Sequence, residues 1–489
     1  MSKFASVPII VGGGFAGLEL AKSLSWLGVS DVIVLEKGSS NGRNLHNNVT
    51  MNDTEAANIW LNYKTDPAYR QSWNSGHPPH YDYGSGERSL LGGRSLYWSG
   101  VVLPIERWAL RDWPPALVAE LCGNQRDGGL YGEIQSELVQ QLPSRRGRCI
   151  EAFGLVFGET PKAITDIDDS HWFAYSPLDH WRHPVSGESP GMPGQSNFRL
   201  NREVLKLDAR DGQIQGVQTV NKDGQYEYYR SSTVVLAAGT IPSAKLAIDS
   251  EILVDDTAVG IADHIVQGFW VKLDRDKANA LGTLIPTGSW VAFLPEPVRS
   301  NIFVELKRAR EESPLYLDIK LTGEQQRLTT NTITLDGSGT PVVAASLSSA
   351  DKSLIQHQRR HLSAMWSEIC KTIGIAPHPL DFAPYELQST GNSALIDGTL
   401  SRISENTPLT WSNFLGTEDH ESGSLAIGEV VDQDLEFRSV KGLYAVGPSV
   451  FPRTGAANPT LTTIALARRL ATTISQRVGG TGSSHDRQN

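Results

Sequence analysis

The stretch Pro8–Ile9–Ile10–Val11–Gly12–Gly13–Gly14–Phe15–Ala16–Gly17 decides the fold. Its apolar run reads as a buried strand, and Gly12, Gly14 and Gly17 follow in the G-x-G-x-x-G spacing. The first glycine permits the tight turn. The second lets the backbone approach a pyrophosphate, and the third lets helix and strand pack closely. Phe15 and Ala16 open a helix whose amides and dipole would face those phosphates. Ala16, Leu20, Leu24 and Leu27 recur at helical spacing, with Gly28 as the stop. A second apolar run, Val32–Leu35, ends in Glu36, about 20 residues past the last glycine, where a carboxylate accepts the hydroxyls of an adenosine ribose. An acid at that point argues against a 2′-phosphate. The fingerprint alone leaves NAD and FAD open.

Bulk properties narrow the classes. A chain of 489 residues holds two or three domains, and 39% hydrophobic with 20% charged residues suits a folded globular protein. The net charge of −10, without a basic stripe, argues against nucleic acid as a partner. No run is long and apolar enough to span a membrane, and the first strand's place close to Met1 leads to the expectation of no secretory signal. Cys122, Cys149 and Cys370 are far apart, which argues against a disulfide framework or a zinc site and fits a reducing cytoplasm. Cys370 reads as a core residue.

Outward from the fingerprint, Gly38–Asp53 reads as a loop, as does Trp73–Arg88, whose His77 and His80 read as exposed loop histidines. A second glycine turn, Gly92–Gly93–Arg94–Ser95, leads into Tyr97–Trp98–Ser99. Paired glycines let a backbone lie flat against a planar or anionic group, although a hairpin with an aromatic core residue would look the same. Trp113–Ser196 is a mixed insertion. Strands return at Arg202–Leu207, Gly216–Val220, Tyr226 onward and Thr233–Leu236, the last ending in Ala237–Ala238–Gly239 before a helix through Leu246.

From Gly268 to about Asn413 the grammar changes. Leu315, Leu317, Ile319 and Leu321 alternate with Tyr316, Asp318 and Lys320, as do Ile302, Val304 and Leu306 with their neighbours, predicting an antiparallel sheet with one solvated face. A helix starts near Ser348, capped by Asp351. It buries Leu362, Met365, Ile369 and Ile373, and stops at Gly374. His357 and His361 lie one turn apart on it, but arginines stand where a metalloprotease needs its glutamate, so no metal is expected. Near the end, His420–Glu421–Ser422–Gly423–Ser424 precedes a strand, Leu443–Val446, and Gly447–Pro448. Gly455–Thr460 then enters a helix with apolar face Ile464, Ala467, Ala471 and Ile474.

Taken together, the fingerprint, Gly92–Ser95, Val204, Val235–Gly239, Val259–His264, His420–Ser424 and Leu443–Thr460 resemble the glucose–methanol–choline (GMC) oxidoreductase family, in that family's order. The substrate region lies outside the resemblance. The resemblance implies an α/β chain, α+β overall. A discontinuous Rossmann-like FAD-binding domain would comprise residues 1–110, 196–265 and 414–478. A substrate domain with a largely antiparallel sheet flanked by helices would comprise 111–195, as insertion and lid, and 266–413. Residues 479–489 would form a flexible tail.

The same resemblance implies FAD and oxidation of an alcohol to a carbonyl, with His420 as base and Asn458 as partner of the substrate oxygen. Neutral imidazole suits that role near neutral pH. Asn458 followed by Pro459 also reads as an ordinary helix cap, with Thr460 in the first turn. Gly12, Gly14, Phe15, Ala16, Gly17, Glu36, Gly93, Ser95, Trp98, Ser99, Val204, Ala238, Gly447, Pro448, Asn458, Pro459 and Thr460 are the expected FAD contacts. Trp98 and Ser99 replace a common Asn-Gly and look more like the pyranose oxidase branch. Tyr97 replaces that branch's flavin-linking histidine, so the FAD is expected to be held non-covalently. A sugar, glycoside or other hydroxylated natural product is the expected substrate, with oxygen, a quinone or another carrier taking the electrons. The rival expectations are a lyase of the hydroxynitrile type, with His420 doing acid–base work alone, and a binding protein with inert flavin.

Overall fold

The computed structural model describes residues 7–40, 66–82, 84–124, 128–139, 148–166, 172–181, 197–308, 315–387 and 404–480. Most of the expected loop at 38–53, and residues 481–489 of the expected tail, lie outside these ranges. The final helix runs on to Gly480, past the boundary expected at 478.

Two sheets place the site. The first is a five-stranded parallel sheet in the order Phe198–Leu200, Ile33–Glu36, Ile9–Val11, Val234–Leu236, Leu443–Ala445. Ile10 lies between Val34 and Val235, and Val235 lies beside Tyr444. The central runs are buried on both faces, as their continuous apolar character predicts. The helix Phe15–Trp26 packs on it beside the final helix Thr460–Gly480. Ala16, Leu20 and Leu24 are buried as expected, whereas Leu27 is 48% exposed. The helix has already ended at Trp26, so Leu27 turns outward in the loop to Gly28, whose φ of +81° makes the stop.

Across the molecule stands a seven-stranded antiparallel sheet: Pro408–Ser412, His264–Leu273, Leu315–Glu324, Ser300–Arg308, Gly288–Leu294, Leu155–Glu159, Cys149–Ala152. Its apolar face carries Phe269, Ile302, Val304, Leu317, Ile319 and Leu321. These pack on Leu362, Met365, Trp366, Ile369 and Cys370 of the helix Ser349–Ile373. That helix begins with the predicted box: Asp351 N–H donates to Ser348 Oγ at 3.0 Å and Ser348 N–H to Asp351 Oδ2 at 2.8 Å. It ends at Gly374 with φ +68°.

The sheet's other face departs from expectation. Alternation pointed Tyr316, Asp318 and Lys320 at solvent; they point into a cavity shared with the parallel-sheet half. His80 also departs from expectation. It is buried, accepts a hydrogen bond from the Leu415 N–H at Nδ1 (3.3 Å), and lies against Tyr385 and Phe414.

Candidate active site

The cavity, about 1030 Å³ in volume, runs from the fingerprint to the polar face of the seven-stranded sheet. At the fingerprint end, Gly12 has φ +107° and a Cβ there would lie 2.7 Å from Ala237 O. At Gly17 a Cβ would lie 2.0 Å from Gly12 O, so only glycine lets the helix sit on its strand. Gly14 is the opposite case: a side chain there would meet nothing within 4 Å. The second glycine turn docks on the first, with Gly92 N–H donating to Gly13 O at 2.8 Å and the Gly93 Cβ position 3.2 Å from Gly14 Cα.

Glu36 closes this end. Its Oε2 accepts from Gly13 N–H at 2.9 Å and its Oε1 from Gly38 N–H at 2.7 Å. Burial pushes the Glu36 carboxyl up to about 7, against the pull of those two amides. A bare glycine edge beside a helix N-terminus, with an acid at the end of the second strand, fits a dinucleotide.

Gly12, Gly14, Phe15, Ala16, Glu36, Gly93, Trp98, Ser99, Val204, Ala238, Gly447, Pro448, Pro459 and Thr460 all line the cavity, together with His420 and Asn458. Gly17 and Ser95 do not. Gly17 serves packing, and the Ser95 hydroxyl is spent on Gly92 O (2.6 Å) and Ser176 Oγ (2.7 Å). Phe15 meets Trp98 edge to face at 5.1 Å, and Trp98 Nε1–H donates to Tyr175 O at 2.8 Å, fixing the indole in the wall. Tyr97 donates to Asp66 Oδ1 at 3.3 Å and lies under the Arg88 guanidinium at 5.0 Å.

His420 and Asn458, 38 residues apart in sequence, meet here: Asn458 Nδ2 lies 3.3 Å from His420 Nε2. Asn458 Oδ1 is buried without a partner, so the alternative role as a hydrogen-bonding cap of the final helix is not taken up. The loop that carries His420 is pinned from several sides. Arg94 donates to both carboxylate oxygens of Glu421 (2.5 and 2.9 Å) and pairs with Asp419 at 3.1 Å. Ser422 bridges to Ala262, and Gly423 N–H donates to Pro448 O at 3.1 Å. The segment before Asn458 is held as firmly: Ala456 N–H donates to Glu106 Oε2 at 2.9 Å, and Gly455 N–H to Glu324 Oε1 at 2.8 Å. Asn301 Nδ2 donates to Glu106 Oε1 and to Ala456 O, both at 2.9 Å.

Burial, then the neighbouring His264, Lys320 and Arg94, hold the His420 imidazole well below its usual 6.5. It is a neutral ring, able to accept a proton. Behind it stands His264, whose Nδ1 lies 2.8 Å from His420 Nδ1. In the sequence it stands only as the last residue of Val259–His264, with nothing beside it to mark it as part of the site.

The wall facing the histidine was also missed. One cross-strand row carries Trp411, Gly268, Lys320 and Phe303; the next carries Trp270, Asp318 and Glu305. Trp411 lies across the bare Gly268, whose Cβ would sit 2.9 Å from its Cζ2. The Lys320 ammonium lies 5.5 Å from the Phe303 ring centre.

Residues 328–467 match the family model described as GMC oxidoreductase. That match spans both His420 and Asn458, and over it the chain is similar to GMC oxidoreductases. No curated protein matches the sequence. Among solved structures, the chain is similar to pyridoxine 4-oxidase from Mesorbium loti, with TM-score 0.58 and 15% identity over 96% of this chain and 99% of that one. It is similar also to a variant of formate oxidase from Aspergillus oryzae RIB40, with TM-score 0.64 and 15% identity over 98% and 99%. At these identities the likeness concerns the fold alone.

Proposed function

We propose that this GMC oxidoreductase oxidises a secondary or primary alcohol on a ring compound, a sugar or glycoside first among them, with His420 taking the hydroxyl proton and Asn458 holding the oxygen. The meeting of His420 Nε2 and Asn458 Nδ2 in the same cavity as the dinucleotide fingerprint carries this reading. Bound FAD would supply the two-electron acceptor for the carbinol hydride. The residues to hold it are the fingerprint glycines, Glu36 and the second glycine turn, with Trp98 and Ser99 further in. Trp270, Trp411, Tyr316 and Phe303 offer flat apolar surface, and Asp318, Glu305 and Lys320 offer hydrogen bonds between them. That mixture suits a ring bearing hydroxyls better than a small aliphatic alcohol.

Tyr97 supports non-covalent FAD, because its hydroxyl is engaged by Asp66 and its ring by Arg88. Oxygen or another carrier would take the electrons, and the cysteine usage favours a reducing compartment.

The test is anaerobic bleaching of the FAD-loaded protein by a panel of monosaccharides, glycosides and aryl alcohols. One or more should bleach the flavin, and His420→Ala should slow that reaction by about 10²–10⁴-fold with FAD still bound. A flavin left yellow by every alcohol would overturn the reading, and cyanide release from a cyanohydrin without bleaching would replace it with a lyase.

A further inference from the structure

We propose that His264 is a positioning residue that fixes the tautomer of His420, keeping its Nε2 unprotonated, with a lone pair that Asn458 Nδ2 holds until the substrate hydroxyl takes its place. The inference rests on the function proposed above and deepens it.

Three contacts in a chain fix where the ring protons of the two histidines lie. At its far end, His264 Nε2 lies 3.0 Å from Gly455 O. A carbonyl oxygen only accepts, so the ring proton of His264 resides on Nε2. A neutral imidazole has one ring proton, which leaves His264 Nδ1 with a lone pair. That lone pair faces His420 Nδ1 at 2.8 Å, and the contact requires one proton between the two nitrogens. His264 has none to give, so His420 Nδ1 must donate. His420 Nε2 is then the bare nitrogen, and Asn458 Nδ2, at 3.3 Å, is a donor aimed at it. The opposite assignment sets two lone pairs against each other at Gly455 and two N–H groups against each other at Asn458.

The assignment requires His264 to stay neutral. It is buried, and burial holds it down to about 4. The charged groups that face the pair are of both signs: Lys320 and Arg94 oppose a proton on His420 from the cavity side, while the carboxyl groups of Glu418, Asp419 and Glu421 in the same loop, and of Asp263 beside His264, lie on the other side of the balance. The ring cannot wander, because the backbone around it is held. The His264 N–H donates to Asp263 Oδ1 at 2.7 Å, and the strand it opens is in register with Leu315–Glu324. His264 therefore belongs to the substrate sheet, His420 to the loop after it, and Gly455 to the turn before the final helix. The relay joins three segments at the point of chemistry. When the substrate O–H bond breaks, the new N–H bond forms at His420 Nε2, and the proton already on Nδ1 stays in its contact with His264.

The experiment has a spectroscopic and a kinetic arm. In FAD-loaded protein labelled with ¹⁵N in the histidine rings, the pair of signals lost in His420→Ala should show an unprotonated Nε2 and a protonated Nδ1 near neutral pH. Protonated Nε2 would overturn the proposal. In the kinetic arm, His264→Leu should slow anaerobic flavin reduction by about 10²–10⁴-fold, with FAD content and KM little changed. His264→Gln offers a carbonyl to His420 and an amide N–H to Gly455, and should recover most of that loss and the wild-type pH profile. Wild-type rates in His264→Leu, or no recovery in His264→Gln, would overturn the proposal. If His264→Leu does not fold, the glutamine variant and the nitrogen signals still decide. If no alcohol reduces the wild-type flavin, alcohol oxidation fails as a reading while the nitrogen signals judge the tautomer on their own.

Discussion

Two cations and a second histidine surround His420, and their combined effect on it is one-sided. Burial lowers the His420 pKa first, and His264, Lys320 and Arg94 lower it further. A base held below its ordinary pKa stays unprotonated to lower pH than a free histidine does. The rate of flavin reduction should therefore stay flat from mildly alkaline pH down past 6.5, the ordinary histidine value, and fall only in more acid solution. Lys320→Met removes one of the opposing charges, so its acid limb should move back up toward 6.5. Stopped-flow reduction at a series of pH values reads both. An acid limb already centred on the ordinary value in wild type would show that the surroundings do not act on His420 as the geometry requires.

Among the elements, the strand–turn–helix at the N-terminus is the most tightly specified. The Gly17 Cβ position lies 2.0 Å from Gly12 O, a backbone atom that does not yield cheaply. Gly17→Ala should push the helix Phe15–Trp26 off its strand at a cost of about 1–3 kcal/mol. The expected readout is a lower melting temperature and a loss of bound FAD measured by absorbance. Full FAD occupancy in that variant would mean that close packing here is dispensable. This element was legible in the sequence because everything it needs is local: a strand, three glycines, a helix and an acid within 28 residues, Ile9 to Glu36. The long helix was legible for the same reason, since Ser348, Asp351 and Gly374 are signals read in place. The order of the parallel sheet was not, because its strands come from three distant parts of the chain. His80 was misread because a Pro-rich stretch says loop but not which side of a loop faces inward. Lys320 and Asp318 were found by alternation and assigned to solvent, because a two-residue period separates two faces without saying what each one meets.

At the scale of the whole molecule, the site lies where two halves of different construction meet, one built on the parallel sheet and one on the antiparallel sheet. Glu106, Asn301 and Glu324 hold the Gly455–Asn458 turn from outside the parallel-sheet core, so base and partner are set by both halves at once. The binding tasks, however, remain separate. The fingerprint, Glu36 and the second glycine turn lie at one end of the cavity. Trp411 lies at the other, on the strand Pro408–Ser412, closed over Gly268. Trp411→Leu keeps apolar bulk and removes the flat indole. It should raise the KM for a ring substrate roughly tenfold, the equivalent of about 1.4 kcal/mol of lost stacking, and leave the FAD dissociation constant where it was. Gly17→Ala should do the reverse, weakening FAD while the fraction of enzyme that retains it keeps the wild-type KM. Steady-state kinetics beside an FAD titration of each variant distinguishes the two. If Trp411→Leu released FAD, or Gly17→Ala raised KM in the loaded enzyme, the division of labour between the halves would be wrong and the cavity would have to be treated as a single binding site.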